Sequence, residues 1–258
     1  VFVFSCSPKR QLRQIALTGL ALIWAMPAFA QQICTDPSAL HLVRLVTDLG
    51  PIDLALCPDD VPDTVENFLS YVNSGAYTDT GFIHRSVQEG YFIFQGGGFF
   101  VNTSSSGTEF IDSVEKQDPI DMEHVLPNRR GTIAMARTDD LNSATSQWFI
   151  NVEDNPIFDT EDDPYAVFGG IRPWTMGVVD AIAALPTVAI TASSPFNDTP
   201  VHADYSGNTS AIPYLVRVSQ VIDLPEPSRS LQTLVALTGL ALWVRVRRSG
   251  PMRQESRG

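Results

Sequence analysis

Apolar and polar positions alternate with period two in many short stretches of this 258-residue chain, and with helical spacing in only two stretches of its central part. Residues 42–46 and 52–56 alternate on either side of Asp48-Leu49-Gly50-Pro51, which predicts a hairpin. Asp63-Thr64 then offers an N-cap to a helix carrying Val65, Phe68, Leu69 and Val72, and Asn73-Ser74-Gly75 ends it. Phe82-Ile83-His84 and residues 91–94 read as short strands, with Gly96-Gly97-Gly98 stopping the second. A Ser/Thr/Gly-rich loop follows at 102–107. Further strands are predicted at 133–137, 148–151, 165–168 and 214–221, with polar loops at 138–145 and 191–213 and an acidic turn at 159–164. Residues 176–184 carry Val178, Val179 and Ile182 for a second helix. Many short strands with two helices predict a mainly β domain, a closed antiparallel barrel capped by the helices.

The two ends break this pattern. Lys9, Arg10 and Arg13 precede an apolar run at 15–26 and then Ala28-Phe29-Ala30, the pattern of a secretory signal peptide. Pro225-Glu226-Pro227 precedes an apolar run at 231–244 and then Arg245, Arg247 and Arg248. A helix of that length spans about 20 Å against a hydrocarbon core of about 30 Å, which predicts a transient anchor at most. The expected division is 1–30 signal peptide, 31–224 folded domain and 225–258 tail.

Charge narrows the function of the domain between them. It holds 27 acidic side chains against 8 basic ones, a formal charge of −19. Such a surface repels nucleic acid and anionic membranes. Cys34 and Cys57 remain in it; an exported setting permits a disulfide, and two free buried thiols fit the sequence nearly as well. There is no Cys-x-x-Cys and no histidine grouping at metal-ligand spacing, so neither a metal nor another cofactor is expected. A monomer is the expectation.

Two polar side chains in the apolar stretch 81–98, Arg85 and Gln95, raise a question of chemistry. Unpaired buried polar groups cost free energy, so each needs a partner. If no internal carboxylate answers Arg85, a ligand carbonyl can. A second stretch sharpens this: Arg130-Gly131-Thr132-Ile133-Ala134-Met135-Ala136-Arg137, followed by Ser146-Gln147-Trp148-Phe149-Ile150. With Ile83-His84-Arg85, Gln95-Gly96-Gly97, Thr64-Val65-Glu66-Asn67-Phe68, Gly75-Ala76-Tyr77 and Val167-Phe168-Gly169, it closely resembles the cyclophilin family of peptidyl-prolyl isomerases over residues 42–221. The Pro-Glu-Pro tail resembles the PEP-CTERM sorting signal of Gram-negative bacteria, which implies cleavage by an exosortase during export to the periplasm or outer surface.

The resemblance implies an eight-stranded barrel and catalysis of rotation about Xaa-Pro bonds, with proline-containing polypeptides as substrates. It implies that Arg85 is the donor to the twisted amide and that Gln95 holds the carbonyl before proline. Phe92, Met135 and Phe149 would line the proline pocket, with Phe158 at its edge. The backbone at Ala136 and Arg137 would pair with extended peptide, and Gln147 would orient Arg85 or a loop. His84, with no second ligand at metal spacing, reads as structural.

Three departures stand out. The span from Arg85 to Gln95 is two residues longer than the family's, and counting back from Gln95 puts Phe92 in the pocket. Ile157 stands where eukaryotic members have tryptophan, which implies weak cyclosporin binding, and Tyr165 stands where many have histidine. The longer 86–91 loop keeps open a non-catalytic peptide-binding or holdase module of the same fold. A surface carbohydrate-binding barrel lacks the exposed aromatic ladder it would need.

Overall fold

The computed structural model describes residues 33–224, apart from 37–38, 78–79 and 191–194. The predicted signal peptide and tail lie outside the described residues. Among the described residues no helix is long and apolar enough to cross a membrane.

Among the described residues, thirteen strands and two α-helices follow in this order: β1 (His41–Thr47), β2 (Gly50–Leu56), α1 (Pro62–Asn73), β3 (Gly81–Phe82), β4 (Arg85–Glu89), β5 (Tyr91–Gly96), β6 (Phe99–Thr103), β7 (Glu109–Ser113), β8 (Thr132–Met135), β9 (Trp148–Asn151), β10 (Val167–Ile171), α2 (Met176–Ala183), β11 (Thr187–Val188), β12 (Thr199–Pro200) and β13 (Arg217–Leu224). Eleven strands form one antiparallel sheet ordered β4-β5-β9-β8-β10-β2-β1-β13-β3-β6-β7, and β11 pairs with β12 separately.

The domain is therefore mainly β, and the strand ladders by themselves do not confirm closure into the expected eight-stranded barrel. The ladder has two ends, β4 and β7. Part of the difference is the loop expected at 102–107, which is the turn of a β6–β7 hairpin whose mostly polar, exposed second strand hides from a hydrophobic pattern. The rest lies at Phe82-Ile83-His84, where one predicted strand serves two neighbours. The Ile83 N–H donates to the Val216 carbonyl beside β13, and the next N–H, of His84, donates to the Gln95 carbonyl on β5, both at 3.0 Å.

Local signals held where they were short-range. The 42–56 hairpin forms in the register Val43↔Leu54 and Leu45↔Ile52, with Gly50 at φ +128° in its turn. Helix α1 forms, with Pro62 in its first turn, but Asp63 and Thr64 do not cap it with their own side chains. The Glu123 carboxylate accepts from the Thr64 N–H at 2.8 Å and the Thr64 hydroxyl at 2.7 Å instead. A carboxylate at a helix N-terminus satisfies free N–H groups and meets the positive end of the dipole. The last strand starts later than predicted, because Ile212–Tyr214 forms a 3₁₀ turn around Pro213.

Strand alternation divides the apolar side chains. On one face Phe94, Ile133, Met135, Trp148 and Ile150 join the main core with Val43, Leu45 and Leu54, closed by Phe68 and Tyr71 of α1 and Val179 and Ile182 of α2. On the other face Ile93, Ala134, Phe149 and Val167 form a second cluster with Phe158 and the Cys34–Cys57 pair. That second face carries the candidate chemistry.

Candidate active site

Five adjacent strands place one residue each in a single row. Arg85 pairs with Gln95, Gln95 with Phe149, Phe149 with Ala134, and Ala134 with Val167. Directly paired residues in antiparallel strands point to the same face. The row is polar at one end and apolar along the rest.

At the polar end Arg85 is half-buried, and among the described residues no carboxylate lies within ion-pairing distance of it. Its Nη2 donates to the Tyr91 hydroxyl at 2.7 Å, and its guanidinium stands 5.8 Å from the Tyr91 ring centre. Gln95 Nε2 donates to Gln147 Oε1 at 2.7 Å. Gln147 thus orients Gln95, where the sequence had it orienting Arg85 or a loop. Beneath them His84 is fully buried against Phe99, edge to face at 4.9 Å. Burial, and secondarily the charge of Arg85, lower its pKa to about 3, so its ring is neutral at physiological pH. Gln147 slightly favours the charged ring, but neither ring nitrogen has a partner at hydrogen-bonding geometry within the protein. His84 is a packed, uncharged aromatic that adds no second positive charge next to Arg85.

The apolar part of the row carries an aromatic cluster. Phe158 lies 5.4 Å from Phe149, 4.7 Å from Tyr165 and 5.2 Å from Tyr91, ring centre to ring centre. Phe149 is 2% exposed and Phe158 8%. Arg137 clamps one side: its guanidinium stacks 4.4 Å over the Tyr165 ring, Nε donates to the Pro164 carbonyl at 3.0 Å, and Nη2 pairs with Asp163. Burial is also the main reason the Tyr165 hydroxyl titrates above its ordinary value, helped by the nearby Asp163 carboxylate.

Three expectations change. Phe92 does not join the pocket: it is 39% exposed and faces a groove beside α2 with Gln88, Val152 and Ala183. The two extra residues lengthen a regular hairpin around Gly90 (φ +80°), in the register Arg85↔Gln95, Val87↔Ile93 and Glu89↔Tyr91. Period two then puts Tyr91 and Ile93 on the face of Gln95 and leaves Phe92 behind. Met135 pairs with Trp148 and lies with it in the main core, one residue out of phase with Ala134 and Phe149. The Ala136 N–H donates to the Gln147 carbonyl at 2.9 Å and is not free for peptide. The structure thus brings together Arg85, Gln95, Gln147, Phe149, Phe158 and Tyr165, with Ala136 and Arg137 at the rim.

Sequence reasoning missed Tyr91, Ile93 and a buried asparagine network. Asn155 grips Phe92 on both sides, accepting from its N–H at 2.9 Å and donating to its carbonyl at 3.0 Å. It also donates to Asn151 Oδ1 at 2.7 Å, and Asn151 donates to Asn128 Oδ1 at 3.0 Å. Asn128 in turn donates to the carbonyls of Phe158 and Tyr165 at 3.2 and 3.1 Å. One chain of amides therefore fixes both the hairpin and the aromatic loop. Asparagines scattered over loops (Asn128, Asn155) and a strand end (Asn151) share no period, so no sequence pattern marks them. The disulfide, left open by the sequence, is present between Cys34 and Cys57 and packs behind the aromatic cluster. Asp60 lies close to both sulfurs, but a disulfide leaves no thiolate to bind a metal.

The family model described as cyclophilin type peptidyl-prolyl cis-trans isomerase/CLD matches residues 42–203. Peptidyl-prolyl cis-trans isomerase A of Dickeya dadantii is 39% identical over 183 residues, 69% of this chain and 87% of that protein. A peptidyl-prolyl cis-trans isomerase of Acinetobacter baylyi is 42% identical over 150 residues, 57% of this chain and 73% of that protein. Among solved structures, a cyclophilin type isomerase of Cryptosporidium parvum superposes with a TM-score of 0.52 at 20% identity, covering 73% of this chain and 99% of that one. That last likeness concerns the fold alone.

Proposed function

The chain belongs to the cyclophilin-type peptidyl-prolyl cis-trans isomerase family, and from that membership we propose that the row running from Arg85 to Phe149 is where it turns Xaa-Pro bonds. The observation that carries this is a half-buried arginine without a carboxylate, directly paired with a glutamine and set beside an apolar aromatic floor.

Rotation about the peptide bond faces a barrier of about 18–20 kcal/mol, because it destroys amide resonance. At the twisted geometry the proline nitrogen regains a lone pair and accepts a hydrogen bond. A donor that is stronger with that state than with the planar amide lowers the barrier. The Arg85 guanidinium is such a donor: permanently charged, with several N–H groups in a fixed fork. Gln95, held by Gln147, presents its amide to the carbonyl before proline. Ile93, Phe149 and Phe158 receive the ring, with Tyr165 at the edge. A charge-assisted hydrogen bond contributes roughly 1.5–3 kcal/mol. An acceleration of about 10⁵ needs roughly 7 kcal/mol. Positioning and water exclusion by the aromatic cluster must supply the remainder.

Export belongs to the same proposal. It is supported by the basic–apolar–small pattern at 9–30, by the strongly acidic domain, and by the disulfide, a bond that persists in oxidising compartments. The Pro-Glu-Pro tail would be held transiently at the inner membrane and cut by an exosortase-type protease. Mass spectrometry of the protein from its own cells tests that step: a C-terminus still carrying 245–258 would replace it with a retained anchor.

The catalytic assignment is tested by isomerisation of a short Xaa-Pro peptide with the purified protein. Acceleration that Arg85→Ala removes is the expected result. One observation favours a binding module without turnover, namely that Tyr91 already occupies an Arg85 donor. Peptide binding without acceleration would establish that reading.

A further inference from the structure

Phe149 and Phe158 are almost fully covered, so a proline ring can reach them only if a covering side chain moves. Two half-buried rings stand over Phe158, those of Tyr91 and Tyr165. They are held very differently. Tyr165 is stacked under Arg137, whose guanidinium is itself tied to the carbonyls of Pro164 and Thr138 and to Asp163. Its own carbonyl is bound by Asn128. Among the described residues the Tyr91 side chain has one hydrogen bond, accepted from Arg85 Nη2. It stands beside Gly90 at the tip of the hairpin. The backbone behind it is fixed, because Asn155 binds both the N–H and the carbonyl of Phe92 and Gln88 donates to the Ala183 carbonyl of α2. What is free to move is therefore the Tyr91 side chain and not the hairpin.

We infer that Tyr91 is a substrate-site residue acting as the movable cover of the proline subsite. Its ring lies against Phe158, and its hydroxyl takes an Arg85 donor that the reacting amide would use. An arriving peptide displaces both contacts together: the ring turns outward, proline takes its place on the aromatic floor, and the guanidinium exchanges one neutral acceptor for another. Side-chain rotation of this kind is fast compared with turnover. The cover therefore acts on affinity, because closed molecules do not bind and the apparent dissociation constant is the intrinsic one divided by the open fraction. This inference rests on the proposed site, and the two can fail separately.

The decisive experiment measures affinity and turnover side by side on the full chain, using a short Ala-Pro-containing peptide. Affinity is read by calorimetry or NMR titration, and kcat and KM by isomerisation kinetics. Tyr91→Phe keeps the ring and removes the hydroxyl. It is expected to bind peptide roughly 10- to 100-fold more tightly, the effect of deleting one charge-assisted hydrogen bond from the closed state, with the gain in kcat/KM carried by a lower KM. Tyr91→Ala removes the ring as well and should tighten binding at least as much. Unchanged or weaker affinity in Tyr91→Phe, or a loss confined to kcat, overturns the cover and makes Tyr91 a fixed support of Arg85. If no form of the protein isomerises the peptide, the catalytic reading fails while the titration still decides the cover.

Discussion

Arg85 and Arg137 flank the same aromatic cluster, one on the β4–β5 hairpin and one just past β8, and the protein treats their charges in opposite ways. Arg137 has a side chain only 2% exposed, with two backbone carbonyls, Asp163 and the face of Tyr165 as partners. Its charge is answered, and what it does is hold a loop. Arg85 sits on a regular strand that fixes its position, and among the described residues its guanidinium has the hydroxyl and ring of one tyrosine as partners. A counter-charge would lower its attraction for a developing lone pair and would have to be displaced at each turnover. The lesson is that the cation available for chemistry is the one whose position comes from backbone pairing and not from an ion pair.

Substitutions at the two arginines test this most severely. Arg85→Ala should lower kcat/KM by roughly 10- to 100-fold, the range expected for one charge-assisted hydrogen bond made in the transition state, with the melting temperature little changed. A variant keeping more than about a tenth of wild-type kcat/KM, a loss under roughly 1.4 kcal/mol, would remove Arg85 from the chemistry. Arg137→Ala should do the reverse. It leaves two carbonyls and a half-buried ring unsupported and should cost about 2 kcal/mol of stability, with a smaller loss of kcat/KM appearing mainly in KM. Equal catalytic losses at the two positions would erase the distinction drawn between them.

Histidine 84 sharpens the comparison through pH. Its pKa is about 3 in the folded protein, against about 6.5 in an unfolded chain. Between those values the unfolded state binds more protons, so this residue makes the protein less stable as pH falls below about 6.5. At pH 5.5 the loss should be on the order of 1 kcal/mol. Denaturant titrations at pH 7.5 and 5.5 measure it, and His84→Phe should flatten the difference. A stability that does not respond, in a protein that is otherwise well folded, would mean the ring is already paired. The smallest effect is expected at Phe92. Since it faces the α2 groove, Phe92→Ala should change kcat/KM by less than about twofold and stability by at most about 1 kcal/mol. A loss rivalling that of Arg85→Ala would return Phe92 to the pocket.

Much of this molecule could be read along the chain. Alternation located the 42–56 hairpin, the strands at 133–137 and 148–151 and both helices, because these depend on residues a few positions apart. The spaced motifs named the family, and with it Arg85, Gln95, Phe149 and Phe158, because a row across neighbouring strands leaves a recognisable residue on each strand. What the chain could not say was how two extra residues between Arg85 and Gln95 are absorbed. A bulge near the turn would have kept Phe92 in phase with the pocket. Pairing the whole hairpin instead moved the face by one residue and put Tyr91 over Arg85. Both outcomes satisfy the same local pattern, and only the contacts on each face distinguish them: Phe158 against Tyr91, and Ala183 against Gln88. The same holds for Glu123 at the start of α1, for the Asn128–Asn151–Asn155 chain, and for the Cys34–Cys57 bridge. Each joins residues that become neighbours only when the sheet coils, and a sequence records which groups need partners but not which partner the fold will bring.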